Sequence, residues 1–254
     1  MLPQPTLRGV IDRRILVNFR VDPAALGTVL PARFRPRTVT SPDGEYAIGG
    51  VCCIRLTKMR PRGFPAAVGL RSENAAHRIG VEWEEAGETR SGVYVPRRDT
   101  SSWLASVVGT RAFGRQYRAD FDVTEGDGRY ELHVESHHGD CSMHVVAAET
   151  DSLPADSVFP DVAAASAYHQ CGSVGYCPST DGRTLEGVEL DTDEWRVQPL
   201  AVESVSASFF ADELHADAVA FDNALLMRDI GHEWHGRGAL ATGTPTAGAV
   251  GQTS

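Results

Sequence analysis

Side-chain amines are almost missing from this chain: of 24 basic side chains in 254 residues, a single one is a lysine, Lys58, and the others are arginines. Imine chemistry with a carbonyl substrate therefore has two places to start, Lys58 and the N-terminus. Long apolar runs are missing too. No stretch approaches the roughly 20 residues that cross a bilayer as a helix. Met1 to Val10 has neither a basic leader nor a hydrophobic core, so no secretion signal and no membrane partner are expected, and the cytoplasm is the expected location. A basic surface is also lacking. The net charge of −10 argues against a nucleic-acid partner, which needs a face that neutralises phosphates. Five cysteines, two of them adjacent at Cys52 and Cys53, do not form the even set of a disulfide framework, and reduced thiols are expected. Phosphate-cradling glycine loops, dinucleotide fingerprints and Gly-x-Ser-x-Gly elbows do not occur. Neither a cofactor nor a metal is expected. The expected partner is a small-molecule substrate, with a homo-oligomer left open.

What is present reads mainly as strands. Ile15 to Val21 is one, and Asp22-Pro23-Ala24-Ala25-Leu26 then supplies an N-cap, a proline at the first helical position and good helix formers, predicting a short helix that stops at Pro31. Tyr46 to Lys58 predicts a long strand with Tyr46, Ile48, Cys52, Ile54 and Leu56 on one apolar face. Further strands are predicted at His77 to Trp83, Gly92 to Pro96 and Tyr117 to Val123. Thr100 or Ser101 can cap a helix that places Trp103, Leu104, Val107 and Val108 on one side. The clearest hairpin joins Tyr130–Ser136 to Cys141–Ala147 through His137-His138-Gly139-Asp140. Asp156 to Tyr168 is helical in part, Val197 to Phe210 reads as one or two strands, and Phe221 to Ile230 is mixed. From Gly236 onward the Gly- and Ala-rich sequence offers little to bury, so residues 1–235 are expected to form a single domain and 236–254 a disordered tail. The pattern predicts an α+β domain, mainly antiparallel sheet with a few short helices, closed into a barrel.

The run Ile15-Leu16-Val17-Asn18-Phe19-Arg20-Val21-Asp22-Pro23 ending at Leu30-Pro31 resembles the opening of the acetoacetate-decarboxylase-like superfamily, most closely its bacterial branch of unknown function. Arg71-Ser72-Glu73-Asn74, Gly92-Val93-Tyr94-Val95 and Phe221-Asp222-Asn223-Ala224-Leu225-Leu226-Met227-Arg228-Asp229 support the resemblance, which covers most of residues 13 to 235. It implies a cone-shaped antiparallel barrel whose interior carries a lysine, a glutamate and an arginine. Glu73 matches the glutamate, and Arg13 or Arg14 the arginine. The lysine motif corresponds to Gly114-Arg115-Gln116-Tyr117-Arg118-Ala119, where Tyr117 stands at the nucleophile and Arg118 beside it. Neither can form an imine. The resemblance therefore implies a small-molecule enzyme for keto or hydroxy acids using acid/base chemistry of the lyase, dehydratase or isomerase type, with Glu73 and Tyr117 as catalytic candidates and Arg13, Arg14, Arg118 and Lys58 as substrate-binding ones. The alternative is a non-catalytic small-ligand-binding barrel that has lost the lysine.

Each candidate has a plainer reading. Lys58 continues the face of Ile54 and Leu56 among Arg55, Arg60 and Arg62, a setting that lowers an amine pKa, yet a strand-end lysine more often extends its ammonium into water. Tyr117 and Arg118 alternate, so at most one of them faces a barrel interior. If His138 and Gly139 form the turn, His133 lies opposite His144 and Glu135 opposite Ser142. Two imidazoles and a carboxylate could hold a divalent ion, but a solvated face is the expected reading, because Leu132, Val134, Met143 and Val145 opposite need the core and a third ligand is unspecified. His232-Glu233-Trp234-His235 lacks helical zinc-protease spacing. Cys171 and Cys177, with His169, lack a second ligand pair, and Cys52 and Cys53 fill opposite sheet faces.

Overall fold

The structure, a computed structural model, describes residues 5–103 and 114–243. The predicted helix at Trp103 to Val108 therefore lies, from residue 104 onward, outside the described residues. The strands are β1 (Leu7–Val21), β2 (Arg35–Pro36), β3 (Thr38–Ser41), β4 (Gly44–Pro61), β5 (Leu70–Glu85), β6 (Glu88–Thr100), β7 (Tyr117–Gly126), β8 (Arg129–Ser136), β9 (Ser142–Glu149), β10 (Val174–Pro178), β11 (Thr184–Thr192), β12 (Gln198–Ala207) and β13 (Val219–Ala241). They form one sheet. The path β6-β7-β8-β9-β12-β13-β1-β4-β5 returns to β6 through the β5–β6 pairing, so the sheet closes on itself. A second route from β6 through β10 and β11 back to β13 gives the wall a branched end. The β6–β7 and β6–β10 pairings are parallel and the others antiparallel. The mainly antiparallel, closed α+β fold expected from the sequence is the fold observed.

Local chemistry sets the elements. Asp22 caps α1 (Pro23–Gly27) by accepting from the Ala24 and Ala25 amides at 2.7 and 3.0 Å. That helix ends at Gly27, short of Pro31, because Thr28 already closes it with its amide on the Ala25 and Leu26 carbonyls. Asp161 caps α2 (Val162–Gln170) through Ala164 N at 2.7 Å. The segment read as strand up to Phe210 turns at Ser208 into α3 (Ser208–Glu213). That turn buries the Phe210 ring 5.5 Å from Phe19, which an extended backbone would carry past the core. The last strand continues to Ala241, through residues read from composition as tail. Pairing with β11, from Thr192↔His232 to Thr184↔Ala241, supplies the hydrogen bonds that sparse apolar content did not advertise.

Strand alternation sorts the apolar residues into two layers. Ile15, Val17, Val51, Cys53, Ala75, Leu132, Val145 and Leu226 meet inside the closed sheet. Leu16, Cys52, Ile54, Leu56, Leu225 and Met227 pack outside it beneath Phe159, Ala165 and Tyr168 of α2 and its approach. The face predicted from Ile48, Cys52, Ile54 and Leu56 is thus real, and it belongs to the outer layer. Cys52 and Cys53 divide between the layers as expected. The outer layer is tightly fitted at Gly80, where an added Cβ would lie 2.2 Å from Tyr168 Oη, itself donating to the Arg37 carbonyl at 3.1 Å. Gly80→Ala should cost about 1–3 kcal/mol through this clash, read as a lower urea midpoint, and a midpoint equal to wild type would show that α2 moves freely.

Candidate functional site

Four neighbouring strands carry a row of ionised side chains across the inner wall. The ladders align Arg228 of β13 with Arg13 of β1, Arg13 with Arg55 of β4, and Arg55 with Glu73 of β5. Glu125, at the end of β7, joins them across the interior. Arg13 Nη2 donates to Glu73 Oε2 at 2.6 Å and Nη1 to Glu125 Oε2 at 3.1 Å. Arg55 donates through Nε to Glu73 Oε1 and through Nη1 to Glu125 Oε1, and lies 3.3 Å from Asp12 Oδ2. Glu73 is placed by its backbone as well, its amide donating to Ser101 Oγ at 2.9 Å. Beside this group the Arg228 guanidinium donates to Tyr130 Oη at 2.7 Å, which donates to Glu149 Oε1 at 2.6 Å.

The electrostatics follow from the geometry. Burial opposes ionisation of Glu125, but hydrogen bonds from Arg55 and Arg13 outweigh it and hold the carboxyl below its ordinary range. Burial likewise disfavours the Arg55 cation, and its bonds to Glu73 and Glu125 reverse the effect. Arg13 is completely buried, and its Nε has no acceptor among the described residues. An N–H left unsatisfied inside a closed sheet is the place where a ligand oxygen gains most.

The sequence candidates divide between several places. Glu73 and Arg13 come together, which resolves the choice between Arg13 and Arg14. Arg14 points to the outer layer, with Nε 3.2 Å from Cys52 Sγ and its guanidinium 5.8 Å from the Trp195 ring. Lys58 is not brought to the site. Both ladders of β4 skip it, passing from Leu56 to Met59 toward β5 and from Thr57 to Arg60 toward β1, and it sits exposed with φ 54°. The bulge ends the alternation from which its face was read. Tyr117 aligns with Asp99 of β6 on the inner wall, but its ring lies 4.2 Å from the Arg97 guanidinium and 5.0 Å from that of Arg115. It belongs to a second polar group, around Arg97 and Asp99. The His77 member of that group stands four residues from Glu73 along β5, about 13 Å by strand rise. Arg118 donates to the Ser101 carbonyl.

Arg55, Glu125, Arg228 and Tyr130 were not singled out from the sequence. The alternation of Ala119, Phe121, Val123 and Glu125 on β7 carried a signal for Glu125, since an acid closes an otherwise apolar inward face. The histidine hairpin has the predicted register, His133↔His144 and Glu135↔Ser142, with ring centroids 6.0 Å apart. Its rings face solvent, with side chains 53% and 36% exposed, so this face lines no interior cavity. The larger described cavity, of about 630 Å³, lies outside the ring between Gln170, Glu189–Thr192, Trp195 and His235. Among the described residues no helix is long and apolar enough to cross a membrane.

The closed, mainly antiparallel sheet is a fold shared with solved acetoacetate decarboxylases and decarboxylase-like enzymes. The chain is similar to an acetoacetate decarboxylase from Legionella pneumophila at 12% identity, covering 93% of this chain and 87% of that one with a TM-score of 0.57. It is also similar to an acetoacetate decarboxylase-like enzyme from Sphingomonas wittichii RW1, at 14% identity over 95% and 93% of the two chains and a TM-score of 0.57. A third similar structure is the enduracididine biosynthesis enzyme MppR complexed with pyruvate, at 14% identity over 96% and 92% and a TM-score of 0.56. At these identities the likeness is one of fold. A family profile, DUF2071, described as an uncharacterized conserved protein, matches residues 11–226, and the chain belongs to that family. No curated protein matches it.

Proposed function

We propose that the protein is a small-molecule enzyme that takes a keto or hydroxy acid at the Arg13–Glu73 group and moves protons on it without an imine. The observation that carries this reading is the Arg13 guanidinium, wholly buried beside a carboxylate, with Nε unpaired among the described residues. A substrate carboxylate that accepts from Arg13 takes over the charge that Glu73 Oε2 now balances. Glu73 is then freed to act as general base while Arg55 retains its other oxygen, so the base is released when the substrate arrives. Entry requires the Glu73 and Glu125 ion pairs to part, since apolar side chains fill the interior around them. Tyr117, engaged with Arg97, takes no part at this group. Lys58, exposed on a bulge, supports no Schiff base in the interior. Pyruvate, bound by MppR, gives the first substrate class to try.

The second reading is a ligand-binding protein without catalysis. The same cluster favours it, because both Glu73 oxygens are already engaged by guanidinium groups. Exchange of α-protons from small keto acids in deuterated buffer separates the two. The enzyme should exchange them, and Glu73→Gln should slow exchange by about 10²–10⁴-fold while Tyr117→Phe leaves it unchanged. A melting temperature raised by the same acids with no exchange would establish the binder instead. Borohydride treatment with those acids should leave Lys58 unmodified in the mass spectrum, and a reduced adduct there would overturn the non-imine reading.

A further inference from the structure

The second polar group on the inner wall has a composition that the Arg13–Glu73 reading does not use. His77 of β5, Asp99 of β6 and Cys141, just before β9, place one donor atom each within 4.8 Å of one another. His77 Nε2 is 3.3 Å from Cys141 Sγ and 3.5 Å from Asp99 Oδ2. All three side chains are buried. Two of them are also fixed in place, the carboxylate by hydrogen bonds of the kind that orient metal ligands. The His77 ring packs 4.7 Å from Phe209, and Arg97 Nε and Nη2 donate to Asp99 at 2.9–3.1 Å. Arg97 continues to Asp140, with contacts at 2.9 and 3.0 Å.

One arrangement with similar residues is excluded by the geometry, and a charge count bears on a second. In a nucleophilic cysteine triad the acid would engage the imidazole nitrogen opposite the thiol, whereas here thiol and carboxylate both approach Nε2 and Nδ1 has no partner among the described residues. A plain ion-pair network leaves the charges uneven, with Asp140 half exposed and partly screened by solvent. With a neutral imidazole and a thiol, Arg97 faces two carboxylates, Asp99 and Asp140, and one negative charge is left over. A divalent ion bound to a thiolate balances the set: two positive charges from the ion and one from Arg97 meet three negative ones from Asp99, Asp140 and Cys141. The unpartnered Nδ1 leaves the imidazole tautomer free to carry its proton there and present a lone pair at Nε2.

We propose that His77 Nε2, Asp99 Oδ2 and Cys141 Sγ bind a divalent ion of the zinc class, with a fourth position left to water or a small ligand. Thiolate with imidazole selects zinc or cobalt over magnesium or calcium. Three protein donors with an open fourth place is the ligand count of reactive rather than purely structural zinc sites. Binding releases the thiol proton to buffer and moves the imidazole proton to Nδ1, so affinity falls as pH is lowered. The site stands independently of the Glu73 chemistry and is read without any activity.

Cobalt(II) titration of the full chain after chelator treatment tests it. One equivalent should bind with a thiolate-to-cobalt charge-transfer band in the near ultraviolet, and zinc should displace it. Cys141→Ser should abolish the band and weaken zinc binding by at least about 100-fold, and His77→Gln should weaken it similarly. The metal-free melting temperature of each variant shows that it folds. His133→Ala/His144→Ala removes the exposed imidazole pair and should leave the band intact. No stoichiometric uptake, uptake without the band, or uptake retained in Cys141→Ser would each overturn the proposal. If Cys141→Ser fails to fold, the band in the wild-type protein and its survival in the hairpin variant decide the question.

Discussion

Lowering the pH from about 6.5 toward 5 should cost this protein stability steeply, before most ordinary carboxylates protonate. Two outer-layer histidines set this expectation. Burial pushes the His169 pKa well below its ordinary value, with Arg78, Arg14 and Arg37 adding to the effect, and Tyr168 is its aromatic neighbour. Burial, aided by Arg14, brings His232 down to about 4, with Trp234 5.0 Å from its ring. A folded pKa below the unfolded one means that the unfolded chain binds more protons in the window between them. Stability therefore rises with pH there, and it is lost as pH falls through the unfolded histidine value. Each histidine contributes a slope of up to roughly 1.4 kcal/mol per pH unit, and His77 on the inner wall, also lowered by burial, adds a third contribution to these two. Urea unfolding at pH 7, 6 and 5 measures the slope. His232→Gln should remove about a third of it, and a free energy flat across this range would refute the account.

Arg13→Met should be the most damaging single substitution on the inner wall. It removes the cation shared by Glu73 and Glu125 and leaves Arg55 to serve both carboxylates together with Asp12. Breaking a buried pair by deleting one partner costs about 3–5 kcal/mol, mostly the desolvation of the charge left behind. Adding Glu73→Leu to Arg13→Met deletes the partner as well, and the double variant should be more stable than the sum of the two single losses predicts. A denaturation cycle in urea reads this coupling. Additive losses would mean that the two side chains act separately, and a loss under about 1 kcal/mol for Arg13→Met would mean that water reaches the cluster.

The sequence was most legible where the signal is local. The Asp22 cap, the two faces of the Cys52–Cys53 pair and the register of the histidine hairpin each follow from a few adjacent residues, and the structure places them as read. The pairing of Glu73 with Arg13 joins positions 60 residues apart and came from family resemblance rather than periodicity. Tyr117 shows the limit of that transfer: a position can be carried over to the correct wall and still find different neighbours. Lys58 failed for another reason. Alternation assigns faces only while the ladder is unbroken, and a bulge beyond Leu56 leaves no trace in hydrophobicity. The His77–Asp99–Cys141 group was invisible for the same reason that makes it notable, since its donors come from segments distant in sequence and no ligand spacing exists to find. The strand over 236–241 depends on its partner β11 rather than on its own composition.

The solitary exposed lysine has a practical consequence. Amine-directed reagents have one side chain to find, on a bulge at the β4 end next to the surface residues Phe64, Val68 and Leu70. A fluorophore coupled there, at a pH that distinguishes it from the α-amine, would sit outside both polar groups of the interior and could report how the wall breathes when a guest enters.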